Sequence, residues 1–326
     1  MTNSYGVDTM VYSPAAPWQG IGTEVKEAMT AEEAIVKAGL DWQVAMKPIF
    51  IERTNRTYHR VPGKYACTRR DTGDVFGVFG KGYEPIQNRD KFGPFTDGLV
   101  ANGEAIIHSA GALNGGALTW VYMQLPGELK VSDTDVLTRG ILLTDSYDGS
   151  RALGIRFMNV RKVCCNTMQG IIGGRGAQFR GKHTVNLVNR VNEARQVMGL
   201  EEAYSQMLMR GIEKVAQEAM NKAQLNQFLE KLFGVEEDAD ALTTRVRNQM
   251  DKVGDLFYHG LGNNGETRWD ALNAVTEYVD HHRDVRVAGG SNKDTMAVSS
   301  ARLNGAWFGA GADIKQRAWD LLVPAN

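Results

Sequence analysis

The sequence predicts an α+β fold, with a mainly antiparallel β-sheet and flanking helices in the N-terminal half, followed by a helical C-terminal half. Between about residues 47 and 160, short alternating, β-branched or aromatic runs are separated by turn residues, which is typical of antiparallel strands. After residue 186, apolar residues recur at nearly every third or fourth position, which indicates amphipathic helices. Strands followed by helices in this order favour helices packed on the sheet or beside it.

The N-terminal segment is expected to be an extended leader that ends at a short helix. Residues 1–29 are assigned to this leader because SPAAPWQGIG (13–22) is rich in Pro and Gly. Thr30 and Glu33 have the spacing of a capping box, and a glycine closes the segment, so a helix is predicted over residues 31–39.

Six strands are predicted in the N-terminal half, each as a short run between turn residues. Their segments are PIFIERT (48–54), DVFGVFG (74–80), AIIHSAGAL (105–113), ALTWVYMQL (117–125), VLTRGILLT (136–144) and ALGIRFMNV (152–160). Asn88 predicts the start of a further helix that runs to about Val100. An α+β sheet domain is therefore assigned to residues 30–183.

The helical region is assigned to residues 184–326. Its first helices are predicted between about residues 187 and 233, and two more begin in GVEEDADALTTRVRNQM (234–250) and WDALNAVTEYVDHH (269–282). Residues 285–304 are rich in Gly, Ser and Asn, so a surface excursion is expected there. No linker marks the boundary between the two regions, which leaves open a core that both share.

The overall composition excludes several classes of protein. The chain has 326 residues, 43% apolar and 23% charged, which is typical of a globular protein of about two domains. Because 37 Lys and Arg nearly balance 38 Asp and Glu, a global polyelectrolyte is excluded, although a local basic face is not. No run approaches the ~18 apolar residues of a membrane span. The beginning of the chain does not resemble a signal peptide, so a cytoplasmic protein is expected.

Local charge is more informative than total charge. Residues 151–195 contain nine basic side chains and a single acid, Glu193. The bases are Arg151, Arg156, Arg161, Lys162, Arg175, Arg180, Lys182, Arg190 and Arg195. Residues 201–242 hold nine acids against four bases. A basic stripe of this kind attracts polyanions through the release of their counterions.

The loop GGRGAQFRGK (173–182) adds two features that suit a nucleic acid. Glycines allow the backbone to approach phosphates closely, and Phe179 offers a stacking surface for an unpaired base. On the predicted strand 152–160, Arg156 alternates out of phase with its apolar neighbours and is expected to face away from the core. The alternative is a solvated basic face that pairs with the acidic helices.

Catalytic and metal sites are not expected. Cys164, Cys165, Asn166 and His183 could in principle form a thiolate nucleophile with its base, but two adjacent cysteines after a strand favour core packing. Asn166 would then cap a helix that begins NTMQGII, with Thr167 as a second cap candidate.

Two polar clusters also have simpler explanations than metal binding. The segment TDSYDGS (144–150) contains Asp148-Gly149, a strong signal for a tight hairpin turn. His281 and His282 would point about 100° apart on a helix and so would not chelate a metal together. No nucleotide-binding or metal-binding motif is present in the sequence, so neither a cofactor nor a metal is predicted.

An ordered series of segments resembles the phage/plasmid-like protein family. They are PWQGIG, AGLDWQV, GKGYEPIQN, GGALTWVYMQLP, LLTDSYDGSRA, RKVCCNTM, GKHTVN and NAVTEYVDHHR. The resemblance runs from about Trp18 to Arg283 and implies a protein of a mobile element in the bacterial cytoplasm, near genes of DNA metabolism. The family has no established activity.

One departure from the family pattern bears on function. The family usually has His in the middle of the turn where this chain has Tyr147, and this change removes a metal ligand or base but keeps an aromatic stacking or packing role. The element order is similar to that of phage single-strand annealing proteins, which form rings or filaments around single-stranded DNA. That likeness concerns the fold and does not assign a function.

The sequence therefore predicts a non-catalytic phage-type protein that binds single-stranded DNA, or anneals it, in recombination or replication. The residues expected to contact phosphates are Arg151, Arg156, Arg161, Lys162, Arg175, Arg180 and Lys182. Phe179 and Tyr147 are the expected stacking groups. A head-to-tail homo-oligomer is expected if the acidic helices meet a neighbour's basic face. The alternatives are a factor that binds a host or phage protein, and an enzyme that uses the Cys and His pair.

Overall fold

The computed structural model describes residues 7–12, 23–24, 29–101, 103–164, 166–169, 179–181, 201–235, 243–286 and 295–323. Within these residues the chain forms an α+β fold, with antiparallel sheets in the N-terminal half and helices in the C-terminal half, as predicted. The strands are β1 (Val7–Tyr12), β2 (Thr23–Glu24), β3 (Val44–Glu52), β4 (Tyr58–Arg69), β5 (Val75–Gly80), β6 (Ile106–Leu113), β7 (Leu118–Lys130), β8 (Val136–Ser146), β9 (Leu153–Arg161), β10 (Thr167–Gln169) and β11 (Phe179–Gly181).

The strands form two sheets. The larger one has the order β10-β9-β8-β7-β6-β1-β2, and β11 pairs with the same strand, β9, as β10 does. Its neighbouring strands are antiparallel except for β1 and β2. The smaller sheet has the antiparallel order β3-β4-β5.

The helices flank and follow the sheets. They are α1 (Ala31–Lys37), α2 (Asn88–Ala101), α3 (Glu201–Gln217), α4 (Lys222–Phe233), α5 (Thr244–His259), α6 (Arg268–Glu277), α7 (Thr295–Phe308) and α8 (Ala310–Leu322), with a π-helical turn at Tyr278–His282. The predicted capping box of Thr30 and Glu33 is present, and Gly39 follows α1 in the left-handed conformation. Among the described helices, none is long and apolar enough to span a membrane.

The two halves of the chain share one hydrophobic core, which contains buried side chains from both. Trp120 of β7 meets Trp307 of α7, with ring centroids 5.1 Å apart. The ring centroids of Phe157 of β9 and Tyr204 of α3 are 5.0 Å apart. The helices therefore bury the apolar surface of the large sheet, and burial of this kind is the main stabilising contribution to such a fold.

Three sequence expectations about local structure are wrong. The segment 1–29, expected to be an extended leader, contains β1, which pairs with β6 of the large sheet, whereas its Pro- and Gly-rich part, residues 13–22, lies outside the described residues. Part of the expected surface excursion, from residue 295 onward, belongs to α7, whose Trp307 is fully buried. Each error has the same cause, because contacts with distant segments stabilise structure that local composition does not favour.

The third error concerns Asn166 and Thr167, which do not cap a helix. Thr167 begins β10, where its backbone N–H donates to the carboxylate of Asp280. Buried Lys315 of α8 donates to the Thr167 hydroxyl at 2.7 Å and also pairs with Asp280. This buried group connects β10, the π-helical turn and α8.

Candidate nucleic-acid interface

Arg161 is a structural residue, and the prediction that it contacts phosphate is wrong. Its side chain is fully buried, and its guanidinium donates to both carboxylate oxygens of Asp135 at 2.7 Å. It also donates to the carbonyls of Leu261 and Gly262 and to the side chain of Asn263. Arg161 therefore joins β9 to the loop between α5 and α6, and its donors are engaged inside the protein.

Tyr147 is also buried, so the prediction that it stacks on a base is wrong. Its hydroxyl lies 2.7 Å from the carbonyl of Ile86 and 2.9 Å from Oδ1 of Asn88. Its ring packs against Trp42 and Phe76, with centroid distances of 5.4 and 5.6 Å. The aromatic packing role that the sequence also allowed is confirmed.

Three other predicted phosphate contacts are engaged by neighbours. Arg156 lies on the face of β9 opposite Ile155 and Phe157, but Met158 on its own face belongs to the core, so the expectation that Arg156 faces away from the core is wrong. The guanidiniums of Arg151 and Arg156 lie 4.5 and 5.8 Å from the ring of Phe308, and Arg151 donates to the Phe308 carbonyl at 2.8 Å. Exposed Lys162 pairs with Glu128.

The Gly-rich loop is described only in part. Arg175 and Lys182 lie outside the described residues. The backbone of Phe179 and Arg180 belongs to β11, opposite Ile155 and Gly154 of β9. Consequently the structure does not bring the predicted basic residues together into one free stripe among the residues it describes.

The cysteine constellation is not supported by its described member. Burial raises the pKa of the Cys164 thiol to about 11, so this group is protonated near neutral pH and is a poor nucleophile. Cys165 and His183 lie outside the described residues. In the described parts of the chain, no group of three or more His, Cys, Asp or Glu side chains could hold a metal.

A different basic surface stands out in the structure, on the hairpin of β3 and β4. We call residues 47–64 the hairpin arm. It carries five Lys or Arg residues and one acid, Glu52, a net charge of +4. Nearly every residue of the arm is exposed, including the ones on opposite faces of the same strand, so the arm projects beyond the body of the protein.

The cations of the hairpin arm are available to a ligand. Lys47, Arg53, Arg56 and Lys64 form no ion pair with any residue that the structure describes. Arg60 donates to the hydroxyl of Tyr65 at 3.1 Å, which uses one donor of its guanidinium and holds the side chain in place. Uncompensated positive charge on an exposed arm attracts a polyanion.

Apolar and aromatic side chains lie among these cations. Phe50 is 53% exposed and Tyr58 is 72% exposed, so both rings are open to a ligand. In the strand register Phe50 is opposite Arg60, and Glu52 is opposite Tyr58. Residues directly opposite each other share one face, so these four side chains form a compact group that we call the aromatic platform.

The opposite end of the small sheet is anchored to the large one. Cys67 of β4 and Trp42 are buried in a small core with Tyr147, which follows β8. The ring of Phe79 covers Gly149 in the turn between β8 and β9, where a β-carbon would come within 2.9 Å of that ring. The arm therefore extends from a rigid base.

Charge averaged over longer windows hides the arm in the sequence. Residues 47–64 nevertheless contain five bases, one acid, Phe50 and Tyr58. Only one strand is predicted there, over residues 48–54, and none where β4 lies. Nothing in the sequence indicates that Arg161 turns inward while Arg53 and Arg56 stay free.

Comparison with known proteins identifies a family but not an activity. A family profile described as "Domain of unknown function (DUF932)" matches residues 75–303, which is more than half of the chain. The hairpin arm lies before the matched segment. Neither the curated proteins nor the solved structures contain a match. The chain therefore belongs to the DUF932 family of domains of unknown function.

Proposed function

We propose that this protein binds nucleic acid and that the hairpin arm is its principal contact. The observation that supports this proposal is the combination of free cations with exposed aromatic rings on one projecting hairpin. Lys and Arg neutralise phosphates and release condensed counterions, and aromatic rings stack on bases. Because both kinds of contact tolerate any sequence, binding is expected to depend weakly on base order.

The biological role that we propose is the one the sequence predicts, a phage-type protein that binds or anneals single strands in recombination or replication. The resemblance to the phage/plasmid-like family supports this setting and the cytoplasm of a bacterial host. Arg151 contributes additional positive charge near the base of the arm, since it follows the turn that Phe79 covers. The loop with Arg175, Arg180 and Lys182 is kept as a second contact.

Self-association is part of the proposal, with the acidic helices meeting a neighbour's basic surface. Within the 151–195 segment, Arg161 pairs with Asp135 in the interior and Lys162 pairs with Glu128 on the surface, so neither adds free charge to that basic surface. Glu218 of the acidic region is itself paired with Arg268 at 2.9 Å. The acids at 236–240 lie outside the described residues.

The direct test is a salt series with a labelled strand. Affinity for a single strand of about 40 nucleotides is measured from about 50 to 300 mM salt, for the wild type and for Arg53→Ala/Arg56→Ala/Lys64→Ala. The triple variant is expected to bind roughly tenfold or more weakly. Its log–log salt slope should fall in magnitude by about 2, since each lost phosphate contact on a single strand contributes about 0.7.

A matched control removes the same charge elsewhere. Arg245, Arg247 and Lys222 are exposed cations on α5 and α4, and their triple Ala variant should retain wild-type affinity and slope. A third variant, Arg175→Ala/Arg180→Ala/Lys182→Ala, measures how much the Gly-rich loop contributes to the affinity for the single strand. The absence of wild-type binding at about 50 mM salt, where phosphate contacts are strongest, would end the nucleic-acid proposal. Equal losses in the arm variant and its control would show that only net charge matters.

A further inference from the structure

We infer that the aromatic platform selects unpaired bases and favours those that carry an exocyclic amino group, so that cytosine binds better than thymine. The inference rests on the proposed function, because it assigns the ligand class of the same arm. It names the chemical roles of Phe50, Tyr58 and Glu52, which charge counting alone does not give.

The stacking step follows from the strand register. Phe50 and Tyr58 occupy one diagonal of the platform, because Phe50 is opposite Arg60 and Tyr58 is opposite Glu52. Diagonal neighbours of an antiparallel pair lie about 7–8 Å apart, which lets two rings receive two successive bases of an extended strand. Both rings are more than half exposed, so a base reaches them without any rearrangement of the core.

The aromatic platform does not favour a duplex, because its rings cannot reach paired and stacked bases. In a duplex the faces of the bases are stacked on each other, and their Watson–Crick edges are paired. A ring can then reach a base only if the base step is unstacked, and unstacking is unfavourable. The phosphates of single strands and of duplexes can both contact the free cations of the arm. The platform therefore adds affinity for single strands without removing the electrostatic attraction to duplexes.

Glu52 gives the platform its chemical preference. A carboxylate in the middle of a phosphate-binding arm opposes the electrostatic attraction to the backbone, and in the described residues it has no cation partner. Arg60, its diagonal neighbour, donates instead to Tyr65. A carboxylate accepts hydrogen bonds from the N4 amino group of cytosine, whereas thymine presents O4 at that position and repels it.

Stacking is tested with a matched pair of variants on adjacent residues. Phe50 and Ile51 are both 53% exposed, but they point to opposite faces of β3. Phe50→Leu/Tyr58→Leu should weaken binding of a mixed single strand roughly tenfold or more, while duplex binding changes little. Ile51→Ala should leave both affinities within about twofold of wild type.

Base preference is tested by comparing oligo(dC) with oligo(dT) of equal length. The wild type should bind oligo(dC) about threefold to tenfold more tightly, and Glu52→Gln should bring the ratio close to one. Loss of the negative charge in Glu52→Gln should raise the affinity for both oligonucleotides alike, and this general gain cancels in the ratio of the two affinities. Far-UV circular dichroism of each variant checks that the protein as a whole remains folded.

The outcomes separate this inference from the proposed function. If the arm cations are required but the aromatic variant keeps the wild-type single-strand preference, the nucleic-acid function stands and the stacking assignment fails. A dC to dT ratio that is unchanged in Glu52→Gln overturns the role of Glu52. If no nucleic acid binds, the proposed function itself fails.

Discussion

The ammonium group of Lys91 lies 2.8 Å from a carboxylate oxygen of Asp145, and neither side chain is reached by solvent. The same ammonium is 4.0 Å from the centroid of the Tyr147 ring, which belongs to the small core beneath the hairpin arm. Burial lowers the pKa of Lys91, and the neighbouring carboxylate opposes that shift. The pair fixes α2 to the end of β8, beneath the base of the arm. Removal of either partner would leave the other charge buried without a counterion.

Removal of Lys91 should therefore be strongly destabilising. Lys91→Met leaves the Asp145 carboxylate buried without its cation, and the expected loss in the free energy of unfolding is about 3–5 kcal/mol. Urea denaturation measures it. The matched control is Arg89→Met, because Arg89 pairs with Glu32 on the surface, where an ion pair contributes about 0–1 kcal/mol. Similar losses in the two variants would contradict the burial of the Lys91 pair.

Adjacent residues Arg161 and Lys162 should differ sharply in their effect on stability. Arg161→Met removes the cation that pairs with Asp135 and the donor to two backbone carbonyls, so we expect a loss of about 3–5 kcal/mol. Lys162→Met removes an exposed pair with Glu128 and should cost no more than about 1 kcal/mol. Thermal and urea unfolding of both variants provide the comparison. A small effect of Arg161→Met would restore that residue as a candidate for surface binding.

The stability of the protein should fall as the pH is lowered from 6.5 towards 4, with His108 as one cause. Burial lowers the pKa of His108 to about 4, against 6.5 in the unfolded chain. In that window the unfolded state binds a proton that the folded state does not, so unfolding is favoured. The contribution of this residue is up to about 3 kcal/mol.

The variant His108→Phe isolates that contribution, since the aromatic ring is kept and the titration is lost. Its free energy of unfolding, measured in urea at several pH values, should decline less steeply than that of the wild type below pH 6.5. The ring of Tyr122, 5.6 Å from that of His108, retains an aromatic neighbour. Parallel pH profiles in the two proteins would show that other groups dominate.

The thiols of Cys67 and Cys164 should resist alkylation in the native protein. Burial raises the pKa of each to about 11, so at about pH 8 roughly one molecule in a thousand carries the reactive thiolate. Treatment with iodoacetamide followed by peptide mass spectrometry should show labelling of these two sites only after denaturation. Rapid labelling of native Cys164 would reopen the possibility of thiol chemistry at that position.

Part of the candidate site could have been predicted from the sequence. The basic character of residues 47–64 and the presence of Phe50 and Tyr58 are visible in the printed chain, and a window of about 18 residues reveals them. The sequence could not show that Arg161 and Tyr147 are buried. Each is held by partners distant in the chain, such as Asp135 and Asn88, and local pattern carries no information on such contacts.

The α+β class, the capping box of Thr30 and Glu33, and six of the strands can be predicted from the sequence, because these depend on local periodicity and hydrogen bonding. Which charges are free depends instead on the tertiary structure. Arg161 and Lys91 are neutralised by carboxylates that the fold brings to them, whereas the cations of the hairpin arm pair with no described carboxylate because the hairpin extends past the body of the protein. Burial is a property of the assembled core, and it separates structural cations from those left to bind a ligand.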